Sequence, residues 1–326
     1  MPDKARRFRI AASLLLNFPT SQLPSLPAFQ PPGFPAFVSA SEIMTTKSRK
    51  PAVSVIIPTC NRGWVLSQAL DSVLAQDFRD FELIVVDDGS TDDTRQILKA
   101  YRNDIIVLSQ SNRGVSAARN RGIARSDAPL IAFLDSDDLW QPQKLSRQIG
   151  FFEAAPEALI CQTEEIWVRN GVRVNPGRRH QKFSGMIFEP SLALCLVSPS
   201  AVMVRKKLFD IVGLFDDRLP ACEDYDLWLR VSCRYPVHLI DEPLIIKRGG
   251  HADQLSKAAG LDRYRIAAIR KLLDSGTLSE SQSRAAAGTL WEKCFVYAGG
   301  CRKRGRVEEA EYYEKLADKY KMTDGR

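Results

Sequence analysis

"VSVIIPTCNR" spans residues 53–62, an apolar run interrupted only by Ser54 until Pro58, after which the chain turns polar. A short apolar run closed by turn residues reads as a strand covered on both faces. The next stretch, "GWVLSQALDSVLAQ", changes period. Val65, Ala69 and Val73, together with Leu66, Leu70 and Leu74, recur at the four-residue spacing of a helical face. The alternation then repeats: "FELIVVDD", a helix opened by "STDDTRQILKAY", "DIIVLSQ", a helix through "GVSAARNRGIARS", and "PLIAFLD". Ser90 or Thr91 suits the N-cap of the second helix, with Asp92 and Asp93 in its first turn. Four apolar strands alternating with helices imply right-handed βαβ units. The expected class is α/β, a Rossmann-like, mostly parallel sheet flanked by helices.

Beyond this unit the pattern is mixed as far as residue 255. A helix is expected from Pro142 to about Ala155, strands around "ALICQTEEIWV", "SAVMVR" and "VHLIDEPLIIK", and a helix on "DYDLWLRVSCRY". Residues 256–326 read as an all-helical C-terminal extension. Within it, "SESQSRAAAGTLWEKCFVYAGGC" and "RVEEAEYYEKLADKYK" resemble one tetratricopeptide-type hairpin, and a single copy is not a repeat array. Residues 1–50 contain seven prolines and keep no helical or strand period, so they read as a disordered extension. A start at Met44 is the alternative reading of this region.

The 326 residues carry a net charge of +7, but the first 50 account for +5 of it. The remainder nets only +2, which gives little support to nucleic acid as a partner. Seven scattered cysteines contain no C-x-x-C pair, as expected of reduced thiols in a cytoplasmic protein. No apolar run reaches the roughly 18–20 residues of a membrane span. The basic stretch "CRKRGR" at 301–306 has two readings, a contact with an anionic membrane surface or a solvated turn between helices.

In an open parallel sheet, ligands bind beyond the carboxyl ends of the strands. Those ends are polar here: "PTCNR", "DDGSTD", "SNRG" and "DSDD". Asp135 and Asp137 stand two apart, and if the strand persists their side chains share a face. Paired carboxylates repel unless a cation lies between them, and hard oxygen ligands suit Mg²⁺ or Mn²⁺, which suits a diphosphate. Asp88 is either ordinary turn chemistry or an acceptor for a nucleotide base or ribose. Arg119 either pairs with acids or faces an anionic ligand. Glu223, Asp224 and Asp226 crowd a helix start, where they favour the dipole and offer a general base. His251 is a lone loop histidine or a partner of the aspartate pair.

The series "VSVIIPTCNR", "FELIVVDDGSTDDT", "NRGVSAARNRGIARS", "APLIAFLDSDDLWQPQKL" and "EDYDLWLR" resembles the family 2 inverting glycosyltransferases of the GT-A fold over residues 51–255. The resemblance implies a nucleotide-sugar loop at Pro58, Thr59 and Asn61, a base-contacting Asp88, and Arg119 in a helix facing the nucleotide. It implies a D-x-D pair at Asp135 and Asp137, with Asp137 the direct metal ligand and His251 assisting. Asp224 corresponds to the catalytic base, supported by Glu223. The implied partners are a nucleotide-diphosphate sugar and a glycan or lipid-linked acceptor, with Mn²⁺ or Mg²⁺ as cofactor and polysaccharide or glycoconjugate assembly as the setting. The implied location is the cytoplasm, with peripheral contact at the inner membrane face as a further reading. One departure stands out: Cys60 occupies the place where many relatives have an aromatic residue that packs on the base. The competing readings are a nucleotide-sugar-binding protein without activity and a nucleotidyltransferase. The latter typically has a glycine-rich basic loop after the first strand, where this chain offers only Gly63.

Overall fold

The computed structural model describes residues 50–251, 254 and 260–320. The expectations of a disordered extension and of a start at Met44 lie outside the described residues. The elements begin with β1 (Val53–Thr59), α1 (Leu66–Leu74), β2 (Phe81–Asp88), α2 (Thr94–Ala100), β3 (Ile106–Gln110), α3 (Val115–Arg125) and β4 (Leu130–Phe133). Then follow β5 (Leu139–Trp140), α4 (Lys144–Ala154), β6 (Ile160–Arg169), β7 (Val172–Val174), α5 (Phe188–Ala193), β8 (Val202–Arg205), α6 (Lys207–Val212), α7 (Glu223–Ser232) and β9 (His238–Gly249). Helices α8 (Leu261–Asp274), α9 (Glu280–Lys303) and α10 (Val307–Tyr320) end the described chain.

Among the described residues the strands form one nine-stranded sheet in the order β3-β2-β1-β4-β8-β6-β9-β5, with β7 paired to β6. The first four strands are parallel, as the βαβ pattern requires. Strand β8 then runs antiparallel to both β4 and β6, while β6 and β9 are parallel again. The sheet is therefore mixed, with its parallel character concentrated in the first half. Strand order reverses between β1 and β4, so the ends of these two strands flank the switch point where a ligand crevice opens.

Apolar side chains line both faces of the sheet. One layer joins Val55, Ile57, Leu66, Leu70 and Leu83, and the other joins Ile56, Ile84, Phe133, Leu227 and Trp228. A third cluster joins Phe188 and Leu192 of α5 and Tyr225 and Leu229 of α7 to Ile269, Leu290 and Tyr297 of the C-terminal helices. The hydroxyl of Tyr225 donates to the Leu192 carbonyl at 2.6 Å, and Gln282 Nε2 donates to the Cys233 carbonyl at 2.9 Å. The C-terminal helices thus brace the back of α7. Ser279 and Gln282 form a capping box at the start of α9. In the basic turn that follows, Arg302 pairs with Glu314 at 2.6 Å and Arg306 with Glu309 at 2.9 Å. Those pairs fit the solvated-turn reading of "CRKRGR". No helix among the described residues is long and apolar enough to cross a membrane.

Helix α3 lies close on β1 because Gly122 has no side chain: a Cβ there would stand 2.5 Å from Ile56 Cγ2. By contrast, a Cβ at Gly288 in α9 would meet nothing within 4 Å. Gly122→Ala should overpack this contact and cost about 1–3 kcal/mol, lowering the melting temperature. Gly288→Ala should gain about 0.5–1 kcal/mol from helix propensity alone. Thermal melts of the two variants check the pair. Equal shifts would contradict the close approach of α3 to β1.

Candidate active site

The crevice is built from the loops beyond β1, β2 and β4. After β1 the chain turns through Asn61, whose φ of 53° is left-handed, a region that asparagine tolerates. The Asn61 N–H donates to Ser90 Oγ at 2.9 Å, and its Oδ1 accepts from the Thr91 N–H at 2.8 Å. The Arg62 N–H donates to Thr94 Oγ1 and the Gly63 N–H to Asp92 Oδ2, so the first loop is laced to the second. Pro58 and Thr59 are buried at the strand end. Thr59 Oγ1 has no hydrogen-bond partner among the described residues. Cys60 Sγ accepts from Asn112 Nδ2 at 3.2 Å, and burial pushes its thiol up.

Asp88 is 4% exposed. Its carboxylate accepts from Gln110 Nε2 at 2.7 Å and from the N–H groups of Arg113 and Gly114 at 2.9 and 2.8 Å. Three of about four acceptor positions are thereby filled. The side chain fastens the loop that leads into α3 and retains one position for a ligand.

Strand β4 ends at Phe133, and Asp135–Asp138 form a turn closed by the Asp138 N–H donating to the Asp135 carbonyl at 3.0 Å. The turn, rather than strand alternation, therefore brings Asp135 and Asp137 together, which corrects the strand-based expectation. The three carboxylates of this turn have different partners. Asp135 Oδ1 lies 2.7 Å from an Arg119 nitrogen, and Asp137 Oδ2 lies 2.8 Å from His251 Nε2. Asp138 accepts from Ser200 Oγ at 2.7 Å and from the Arg248 N–H at 2.9 Å. Burial, and then the neighbouring Asp135, raise the Asp137 carboxyl above its ordinary value. The same causes, with Asp137 added, raise Asp138 much further.

Arg119 joins this turn to α7. Its other terminal nitrogen donates to Glu223 Oε1 at 2.6 Å, and the Phe215 ring centroid lies 5.2 Å from its guanidinium carbon. The side chain is 4% exposed. Burial works against the charge on Arg119, but Asp135 and Glu223 outweigh it and hold the guanidinium protonated. Both terminal nitrogens of Arg119 are engaged by carboxylates in this structure, so the side chain holds Asp135 and Glu223 in place.

Glu223 begins α7 after Cys222, which is left-handed at φ 61°. Asp224 is half-buried. Its Oδ1 accepts from the Tyr225 N–H at 2.7 Å, and Cys195 Sγ lies 3.6 Å from its Oδ2. Asp226, the third acid of this run, turns away to pair with Arg230 and Lys271. Trp228 is buried in the core.

Several residues of this site escaped the sequence reading. Lys247 on β9 feels the charges of Glu165, Asp138, Asp135 and Asp224, which together overcome burial and raise its ammonium. Arg248 donates to the Asp137 carbonyl, and Trp64, 61% exposed, stands edge-on to His251 with ring centroids 5.6 Å apart. The basic pair in "IIKRGGH", two glycines before the histidine at a strand end, is the one pattern that could have flagged Lys247 and Arg248.

Removing the arginine would leave Glu223 buried without its charge partner. Arg119→Met should cost about 3–5 kcal/mol, and adding Glu223→Gln should recover part of that loss. Denaturant titration of the single and double variants checks this. Additive losses would contradict the coupling.

A family profile described as Glycosyl transferase family 2 matches residues 54–212. An uncharacterized glycosyltransferase of Rickettsia prowazekii, RP339, is 33% identical over 217 residues, covering 64% of this chain and 67% of that protein. The putative teichuronic acid biosynthesis glycosyltransferase TuaG of Bacillus subtilis is 42% identical over 106 residues, 31% of this chain and 42% of that protein. Among solved structures, S. aureus TarS 1–349 in complex with UDP-GlcNAc superposes with a TM-score of 0.57 at 18% identity. The match covers 82% of this chain and 91% of that one and shows a shared GT-A fold. With a Rickettsia relative matched over two thirds of its length and the family profile spanning the crevice-forming half, the chain belongs to glycosyltransferase family 2.

Proposed function

We propose that this enzyme moves a sugar from a nucleotide-diphosphate sugar to an acceptor hydroxyl with inversion, in the assembly of a polysaccharide or related glycoconjugate. The observation that carries this reading is the gathering of Asp135, Asp137 and His251 beyond the switch-point strand β4, with Arg119 joining Asp135 to Glu223 at the start of the helix that bears Asp224. The putative teichuronic acid role in the name of TuaG supports the polysaccharide setting. Free cysteines throughout the chain fit a reducing compartment and hence the cytoplasm.

In this reading the loop of Pro58, Thr59 and Asn61 receives the nucleotide, with the partnerless Thr59 hydroxyl and the remaining acceptor position of Asp88 as polar contacts. Among the described residues no group of three acidic, histidine or cysteine side chains is arranged to hold a metal alone. The donor set of Asp137 and His251 nevertheless fits Mn²⁺ or Mg²⁺, which often takes one or two protein ligands and completes its shell with substrate phosphates. Burial and mutual repulsion disfavour the ionised carboxylates of the 135–138 turn, a cost that a cation would offset. Asp137 and His251 would hold the ion, with Asp135 beside them, and when bound it supplies charge neutralisation for the leaving diphosphate.

Asp224 takes the proton of the acceptor hydroxyl as its oxygen forms a bond to the anomeric carbon. The bond from that carbon to the diphosphate oxygen breaks on the opposite face, and the nucleoside diphosphate departs. Glu223, held by Arg119, fixes the start of the helix that presents Asp224. Alignment of both substrates supplies much of the remaining acceleration.

Incubation with a panel of sugar nucleotides and Mn²⁺ should release nucleoside diphosphate. Pyrophosphate release would instead indicate a nucleotidyltransferase, and binding without release a non-catalytic protein. Asp224→Asn should lower transfer by about 10²–10⁴ while leaving metal-dependent nucleotide binding nearly intact. Undiminished turnover in that variant would remove Asp224 from the role of base.

A further inference from the structure

Between Glu165 and Glu189 the chain carries Arg169, Arg173, Arg178, Arg179 and Lys182 and no acidic residue. This stretch leaves the end of β6, forms the β6–β7 hairpin and returns toward α5. Two cations, Arg169 of this stretch and Lys247 of β9, flank one aromatic ring. Arg169 stands 5.8 Å and Lys247 Nζ 5.6 Å from the Trp167 ring centroid, and the His180 ring lies 4.9 Å from it. Arg179 Nε is 3.1 Å from His180 Nε2.

The carboxylate closest to this group, Glu165, is already committed. It accepts from Lys182 Nζ and from the Trp167 indole N–H, each at 2.9 Å. Among the described residues no carboxylate pairs with Arg169, Arg173, Arg178 or Arg179, although the four side chains are exposed. Burial lowers the His180 imidazole, and the surrounding Arg179, Lys247 and Arg169 lower it further, which reports the same crowding of positive charge.

The patch is continuous with the crevice. Trp167 pairs with Lys247, and Arg169 with Gly249, across β6 and β9, two residues before His251. Lys247 senses Asp135, Asp138 and Asp224 on one side while covering Trp167 on the other. An indole flanked by Lys247, which pairs with Glu165 at 4.0 Å, and by Arg169, which has no carboxylate partner among the described residues, is suited to a sugar or polyol unit bearing negative charge.

We propose that Trp167, Arg169, Arg179, His180 and Lys247 form an acceptor subsite for an anionic glycan or polyol chain, one carrying phosphate or carboxylate groups. This rests on the transferase reading above, and it narrows the acceptor from any hydroxyl-bearing glycan to a charged one.

Fluorescence anisotropy with labelled oligomers of matched length tests it, using a glycerol-phosphate oligomer, an oligogalacturonate and a neutral malto-oligosaccharide. At least one anionic oligomer should bind about tenfold or more tightly than the neutral one, a difference of about 1.4 kcal/mol. That preference should weaken as salt is raised, and Arg169→Gln/Arg179→Gln should abolish most of it. The phosphate and carboxylate arms identify which charge is recognised. The proposal is overturned if the neutral oligomer binds as well as both anions, or if the double variant binds the anions like the wild type. It is also overturned if those arginines are needed only for sedimentation with phosphatidylglycerol vesicles while no soluble oligomer binds. Binding of UDP and GDP with Mn²⁺ by the same wild-type protein reads the donor half separately. Its absence counts against the transferase reading, whereas retained nucleotide binding without anion preference counts against the subsite alone.

Discussion

The crevice depends on one buried guanidinium. Arg119 bridges Asp135, 16 residues away in the chain, and Glu223, 104 residues away, at 2.7 and 2.6 Å. A buried charge is tolerated only when it is paired and hydrogen-bonded, so neither carboxylate can leave without stranding the other groups. The β4 turn, helix α3 and the start of α7 are therefore set relative to one another by a single side chain. Gly122 lets α3 approach β1 closely, and the C-terminal helices hold α7 from behind, so the bridge is anchored on rigid elements at both ends.

Around this bridge the charges are sorted by position. The 135–138 turn concentrates acid beyond the end of β4, where burial and repulsion favour a cation. Ser200 and the Arg248 N–H satisfy Asp138, which leaves Asp137 and His251 facing each other at the crevice. Lys247 marks the boundary, with Asp135, Asp138 and Asp224 on one side and Trp167, flanked also by Arg169, on the other. The crevice thus has an acidic half suited to a metal diphosphate and a basic half beyond the candidate base.

Much of the fold was legible in the residues themselves. Strands such as "VSVIIP" and "PLIAFLD" are apolar on both faces, and the helices between them keep their period, so the parallel half of the sheet followed from pattern alone. The antiparallel insertion of β8 between β4 and β6 was not legible, because strand pairing across some 70 residues leaves no local trace. Convergence of the polar strand ends was legible from topology, but the partners of individual side chains were not. Arg119 sits in an ordinary helical pattern, and nothing local shows that it reaches Asp135 and Glu223. Asp88 reads as a ligand contact or as turn chemistry, and the structure gives three of its acceptor positions to the turn. Lys247 and Trp167 acquire their meaning only through the β6–β9 pairing that sets them side by side.

Cys60 stands where the resemblance leads one to expect an aromatic residue. Its thiol is tied to Asn112, so a base held here must rest on something other than an aromatic residue at that position. A crystal structure of the protein with UDP and Mn²⁺ tests the whole arrangement most directly. The expected result is manganese held by Asp137 and His251 beside the diphosphate, the base over the loop of Pro58, Thr59 and Asn61, and Arg119 still joined to Asp135 and Glu223. A nucleotide bound away from the 135–138 turn, or an Arg119 swung out onto the diphosphate, would contradict it.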